Sequence, residues 1–226
     1  MFKRRVLIPI FLLSLLGLTC VYAQSAPQGQ AASSERRKTS EPYTGDLSNF
    51  DSAGRDERLQ INRVMEILGI ERGKTVADIG AGSGWFTVRA ARRVSENGIV
   101  YAVDINPEAI QYITERARKE ELHNVKTVLS KAADPLLPAN AVDAVLLLKT
   151  YHEIEDPVAL LRSLRGALRP GAKVGIIDRN GNGENHGIGR DVVIREAEQA
   201  GYRMIGKYDF VKADKMDYFL VFVPKE

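Results

Sequence analysis

The chain has 226 residues, 44% of them hydrophobic and 27% charged, which is enough for one sizeable globular core with tails. Its formal charge of +3 falls to zero without Lys3, Arg4 and Arg5 at the extreme N-terminus, so the remainder carries no basic excess to attract nucleic acid. The single cysteine, Cys20, lies near that end too, which excludes an internal disulfide, a thiolate metal centre and a cysteine nucleophile in the chain beyond it.

In chain order, the basic head Met1-Phe2-Lys3-Arg4-Arg5 runs into an apolar stretch, Val6 to Leu18, and then Val21-Tyr22-Ala23, with small residues at the first and third positions of a signal-peptidase site. This reads as a signal peptide over residues 1–23 that directs export to the periplasm or beyond. The apolar stretch is shorter than the roughly 20 residues of a spanning helix. No stable membrane span is therefore expected after cleavage, and an uncleaved leader acting as an anchor is the alternative. Residues 24–54 are rich in Gln, Ala, Ser, Pro and charge and read as a disordered linker. Arg58 to Ile70 places Leu59, Val64, Ile67 and Leu68 on one face of an amphipathic helix closed by Gly69.

The most informative stretch follows. Thr75 to Ile79 is an apolar β-type run, Gly80, Gly82 and Gly84 alternate with Ala81 and Ser83, and Trp85, Phe86, Val88 and Ala91 then recur at helical spacing. That is a strand, a tight turn and a helix. Alternate glycines remove the Cβ atoms that would keep a ligand off the turn. Their spacing is G-x-G-x-G, unlike the G-x-G-x-x-G that seats a pyrophosphate. Asp78 stands at the strand end, where a carboxylate can hold a cationic group. Ile99 to Val103 forms a second strand ending in Asp104, placed to accept both hydroxyls of a ribose at the mouth of the same turn.

Asp-Ile-Gly-Ala-Gly-Ser-Gly followed by Val-Tyr-Ala-Val-Asp-Ile-Asn-Pro-Glu resembles the first two motifs of class I S-adenosylmethionine-dependent methyltransferases, and the likeness continues from about Arg58 to the C-terminus. The resemblance implies an S-adenosyl-L-methionine pocket. The contacts it implies are Asp78, Gly80, Ala81, Gly82, Ser83 and Gly84 beneath the methionine part, Asp104 and Ile105 at the ribose, Ala132 near the adenine, and Lys149. In related enzymes a segment just before the core lies across the cofactor. Phe50 and Arg55 are candidates for that position, against the reading of a solvated linker.

Beyond Asp104, Pro107 opens a helix to about Glu121, and Asn124 to Leu129 is the third strand. Here the family carries an acid and a small residue, whereas this chain has Ser130-Lys131-Ala132-Ala133-Asp134. Ala132 or Ala133 can still offer backbone groups to the adenine, and Asp134 can reach its amine. Ala141 to Leu148 is nearly all apolar, as a strand buried on both faces should be. It ends in Lys149-Thr150-Tyr151-His152-Glu153-Ile154, similar to the polar turn of small-molecule methyltransferases, including those of quinone biosynthesis. His152 and Glu153 read as a base and its orienter, Tyr151 as a pocket residue.

Asp156-Pro157 starts a helix that Arg169-Pro170-Gly171 ends, and Lys173 to Asp178 is the fifth strand. A polar loop, Arg179 to Gly189, then carries His186, a second candidate base. Asp191 to Ala200 is the last helix, and Met204–Val211 and Asp217–Pro224 alternate as closing strands. The expected architecture is α/β: one domain over residues 55–226, a doubly wound Rossmann-like sheet of seven strands, mostly parallel with one antiparallel edge strand. The strand order 3-2-1-4-5-7-6 is implied by the resemblance. No metal site is expected, because Asp104, Asp143 and Asp178 end up on different strands and no His cluster has ligand spacing. The expected function is methyl transfer to a small molecule. An exported binding protein on a methyltransferase scaffold, or a nicotinamide-dependent oxidoreductase, are the alternatives. Nothing in the sequence specifies an oligomeric state.

Overall fold

The computed structural model describes residues 37, 39, 43, 45–181, 186–212 and 216–226. The expected signal peptide and most of the expected linker lie outside the described residues. Seven strands form one sheet: β1 Thr75–Ile79, β2 Ile99–Asp104, β3 Val125–Leu129, β4 Val142–Leu148, β5 Leu168–Arg179, β6 Tyr202–Tyr208 and β7 Asp217–Pro224. Their order is β3-β2-β1-β4-β5-β7-β6, as the resemblance implied. Pairing is parallel from β3 across to β5, and β7 runs antiparallel to both β5 and β6. The antiparallel strand is thus β7, one place in from the edge, and β6 is the edge itself.

The helices are α1 Arg55–Leu59, α2 Ile61–Leu68, α3 Trp85–Val94, α4 Pro107–Lys119, α5 Pro157–Arg165 and α6 Arg190–Gln199. Alternation along the strands sorts the core into two layers. Val76, Val100, Ala144 and Leu146 pack with α2 and α3, and Ala77, Val103, Val145 and Leu147 pack with α5 and α6. The two helices that the sequence opens at Pro107 and Pro157 start there, each with a side-chain cap. Asn106 accepts from the Glu108 N–H ahead of Pro107, and Asp156 accepts from Ala159 N–H ahead of Pro157. Among the described residues no helix is long and apolar enough to cross a membrane.

Two local features depart from expectation. The helix predicted over Arg58–Ile70 is broken at Gln60, whose φ of 47° is left-handed, so α1 turns off α2 and carries Arg55 to the ring of Trp85, 4.3 Å from its centroid. Residues 45–54, assigned to the disordered linker, are instead ordered, with a short 3-10 helix at Leu47–Asp51 capped by Asp46. The physical reason is a set of long-range ties. Leu47 is buried, Asp51 accepts from the Ser83 hydroxyl at 2.8 Å, and the Arg116 guanidinium bridges Asp51 and the Ser83 carbonyl at 2.7 and 3.0 Å.

Candidate functional site

The chain moves outward from β1 to β3, returns, and moves the other way from β4, so a crevice opens at the carboxyl ends of β1 and β4. A cavity of about 890 Å³ occupies it, within the range that holds a cofactor-sized molecule. Five strand ends feed it: the glycine turn after β1, Asp104 to Asn106 after β2, Ser130 to Ala132 after β3, Leu148 to Thr150 and His152 after β4, and Arg179 after β5.

The turn is shaped by what its glycines lack. Gly80 has φ +71°, and a Cβ there would lie 2.7 Å from the Thr150 Cβ, so only glycine lets β1 and β4 end side by side. Gly82 has φ +55°, and a Cβ added there would stand 3.7 Å from the Phe50 ring, so the ordered N-terminal segment closes over the turn as a cover. Asp104 meets the same turn from β2: one carboxylate oxygen accepts the Gly82 N–H at 2.8 Å, the other the Asn106 N–H at 2.9 Å. The two motifs therefore converge on one space. Asp78 also lines it, yet is buried, and its carboxylate accepts from the Thr87 hydroxyl at 2.6 Å. Burial raises its pKa to about 7, with the charge of Asp104 adding to the rise and the Thr87 hydrogen bond opposing it. A cationic ligand beside it would favour the charged form.

On the other side of the cavity, His152 is held from behind. Its Nδ1–H donates to Asp178 at 2.9 Å, its backbone N–H reaches the same carboxylate at 3.0 Å, and Asp178 is fully buried. That fixes the tautomer with Nε2 directed toward Glu153 Oε1, 3.2 Å away. Burial opposes charge on the ring, but the hydrogen bond and charge of Asp178, with the charge of Glu153, outweigh it and raise the His152 pKa. His186 reaches the same Glu153 oxygen with Nδ1 at 3.4 Å.

The glycine turn, Asp78, Asp104, Ile105, Ala132, Lys149, His152 and His186 are brought together around the cavity. Lys149 does so while paired with Asp217 at 2.6 Å. Tyr151 is a correction. It is fully buried, its hydroxyl donates to Glu196 on α6 at 2.9 Å, and its ring points away from the cavity into the α5–α6 layer. Asp134 is another, because its carboxylate is taken up by Leu136 N–H and the Ser163 hydroxyl. The orienter of His152 is Asp178 more than Glu153. Its signal was an acid ending the fifth strand, but the partner lies on another strand. Phe50, Arg55 and Trp85 also line the cavity.

A family model described as a methyltransferase domain matches residues 70–200. The chain belongs to this methyltransferase family. Among curated relatives, it is 29% identical over 161 residues to the ubiquinone/menaquinone biosynthesis C-methyltransferase of Azotobacter vinelandii, covering 69% of this chain and 62% of that protein. It is 26% identical over 110 residues to the demethylmenaquinone methyltransferase of a Geobacillus species, covering 49% and 47%. The chain thus spans between 47% and 62% of the length of these relatives. A crystal structure of an S-adenosylmethionine-dependent methyltransferase from Aquifex aeolicus superposes with a TM-score of 0.71 at 27% identity, over 78% of this chain and 95% of that one. A didemethyltoxoflavin N1-methyltransferase from Burkholderia thailandensis, at 17% identity and TM-score 0.60 over 78% of this chain and 80% of that one, shares the fold.

Family and fold imply S-adenosylmethionine as cofactor. The residues of this methyltransferase fit it: a turn whose alternate glycines leave its face open, an acid at the tip of β2, and the buried acid Asp78 lining the same cavity.

Proposed function

We propose that this methyltransferase moves a methyl group from S-adenosylmethionine to a small-molecule acceptor. The observation that carries the reading is the hydrogen bond from Gly82 N–H to Asp104, which joins the two motifs over one cavity. The cofactor supplies a methyl group already activated on a sulfonium. The chain then has to bind, orient and exclude water. Asp104 and the Gly80–Gly84 turn hold the nucleoside and its amino acid tail, Asp78 faces the cationic part, and the Leu47–Asp51 segment covers them. His152, set by Asp178, presents a polar group on the acceptor side, where Ile154 and Leu160 add apolar lining. The relatives named above, with this mixed lining, make a reduced quinone-type ring the first acceptor class to try. Family membership sets aside the nicotinamide oxidoreductase alternative.

The test is to incubate the full chain with methyl-labelled S-adenosylmethionine and a panel of hydroquinones, following label into the organic phase. Label transfer that needs Asp104 is expected. Binding of cofactor with no transfer to any acceptor, hydroquinone or other small molecule, would leave the non-catalytic alternative instead. Export by the leader is proposed alongside, and an N-terminus beginning at Gln24 in protein recovered from the producing cell is the expected result.

A further inference from the structure

Three side chains of metal-ligating type meet at the rim of the cavity, where the turn after β4 faces the loop leading into α6. Glu153 Oε1 stands 3.2 Å from His152 Nε2 and 3.4 Å from His186 Nδ1, and the ligating atoms of all three lie within 4.8 Å of one another. Nitrogen and oxygen ligands about 2.0–2.2 Å from a tetrahedral ion stand roughly 3.4 Å apart, so both His–Glu153 separations are those of one coordination shell, and the two imidazole nitrogens, within 4.8 Å, are close enough to share it after a small turn of the exposed His186 ring. A surface His–Glu contact would explain the distances alone, but not what stands behind His152. There the Asp178 carboxylate, fully buried, accepts the Nδ1–H, the His152 backbone N–H and, at 2.7 Å, the Arg179 N–H. A carboxylate in that position orients a ligating imidazole, leaves the Nε2 lone pair forward and raises its basicity.

We propose that His152, Glu153 and His186 form a binding site for a zinc-type divalent cation. Two imidazoles and one carboxylate suit a borderline ion better than Mg²⁺ or Ca²⁺, which take oxygen ligands. Three protein ligands leave a coordination position open, the pattern of a working rather than a structural site. All three residues line the cavity, so the open position faces the acceptor side. The role follows from the methyl-transfer reading and rests on it: an acceptor bearing a hydroxyl or phenol binds there as its anion, losing its proton to solvent, and is anchored beside the cofactor pocket. With the ion bound, His152 is a ligand and not a base. The absence of a metal site expected from the sequence is thereby revised, because His152 and His186 belong to loops after different strands and meet only in the fold.

The experiment is titration of the full chain, stripped with a chelator and without cofactor, using ZnCl2 and, for its visible absorption, CoCl2. One equivalent bound is expected, with the Co²⁺ spectrum of a nitrogen and oxygen set. Glu153→Gln and His186→Ala should each weaken binding by at least about 10-fold, and Asp178→Asn by roughly 10-fold through its hold on His152. His123→Ala, the third histidine of the chain, should bind as the unmodified protein does. His186 is exposed, so its variant keeps the melting temperature of the parent and reports on ligation alone. Binding below one tenth of an equivalent to the unmodified chain, or unchanged binding in His186→Ala, overturns the proposal. Because the readout contains no cofactor, its failure is distinguishable from a failure of methyl transfer.

Discussion

Replacing Asp78 by asparagine removes a buried acid while keeping an oxygen that can accept from Thr87. The folded-state pKa of about 7 stands some three units above the ordinary 3.8, with burial as the main cause. The folded chain therefore keeps a proton that the unfolded chain releases between these values, and the acid's stability contribution falls as pH rises from about 4 to 7. At about 1.36 kcal/mol per unit, ionising it in the folded protein costs on the order of 4 kcal/mol above pH 7. Asp78→Asn should gain on the parent by about 3 kcal/mol between pH 5 and pH 7, two units at that rate. For a chain of this size the gain reads as a rise in Tm of roughly 6–12 °C relative to the parent. The assay is thermal unfolding of both proteins across pH 5–8 without cofactor, repeated with S-adenosylmethionine. The cofactor should stabilise the parent far more than the variant, since a cation beside the carboxylate offsets the cost of its charge. Parallel pH curves for the two proteins, or equal stabilisation by cofactor, would refute the reasoning.

Gly80→Ala places a methyl at φ +71° and 2.7 Å from the Thr150 Cβ. It should lower stability by about 1–3 kcal/mol in a urea melt and loosen the cofactor pocket in the same protein. Asp51→Ala cuts the ties from the cover segment to Ser83 and Arg116. Limited proteolysis near residues 45–54 should speed up, with cofactor affinity falling several-fold while the melting temperature changes little. Tyr151→Phe loses one hydrogen bond to the Glu196 carboxylate and should cost roughly 1.5–3 kcal/mol of stability. Its methyl-transfer rate should match the parent's, and a large fall in kcat would return Tyr151 to the site.

How far the sequence predicts the molecule depends on how local each feature is. The glycine turn and Asp104 are legible because each is a strand end followed by a fixed turn chemistry, and the sheet brings adjacent strand ends together. The pairing of His152 with Asp178 depends on β4 and β5 lying side by side with Leu148 opposite Ile177, a register that local spacing does not carry. The cover segment was legible only as a candidate, through Phe50 and Arg55 set against a solvated linker, because Asp51, which ties it down, gains its meaning from Ser83 and Arg116 elsewhere. Tyr151 shows the limit of placing a side chain by its neighbour. In the 3-10 turn after β4, His152 faces the cavity and Tyr151, one residue earlier, faces the core. The break at Gln60 leaves no mark in the hydrophobic period, because apolar residues continue on both sides of it.

The central claim is that the turn at residues 80–84 and the carboxylate of Asp104 hold a single nucleoside that carries an amino acid tail. Isothermal titration of the full chain with S-adenosylmethionine, and with Asp104→Ala beside it, tests this directly. One site of micromolar or tighter affinity that vanishes in a folded Asp104→Ala is predicted. No heat of binding to the unmodified, folded chain, or undiminished binding in the variant, would contradict it.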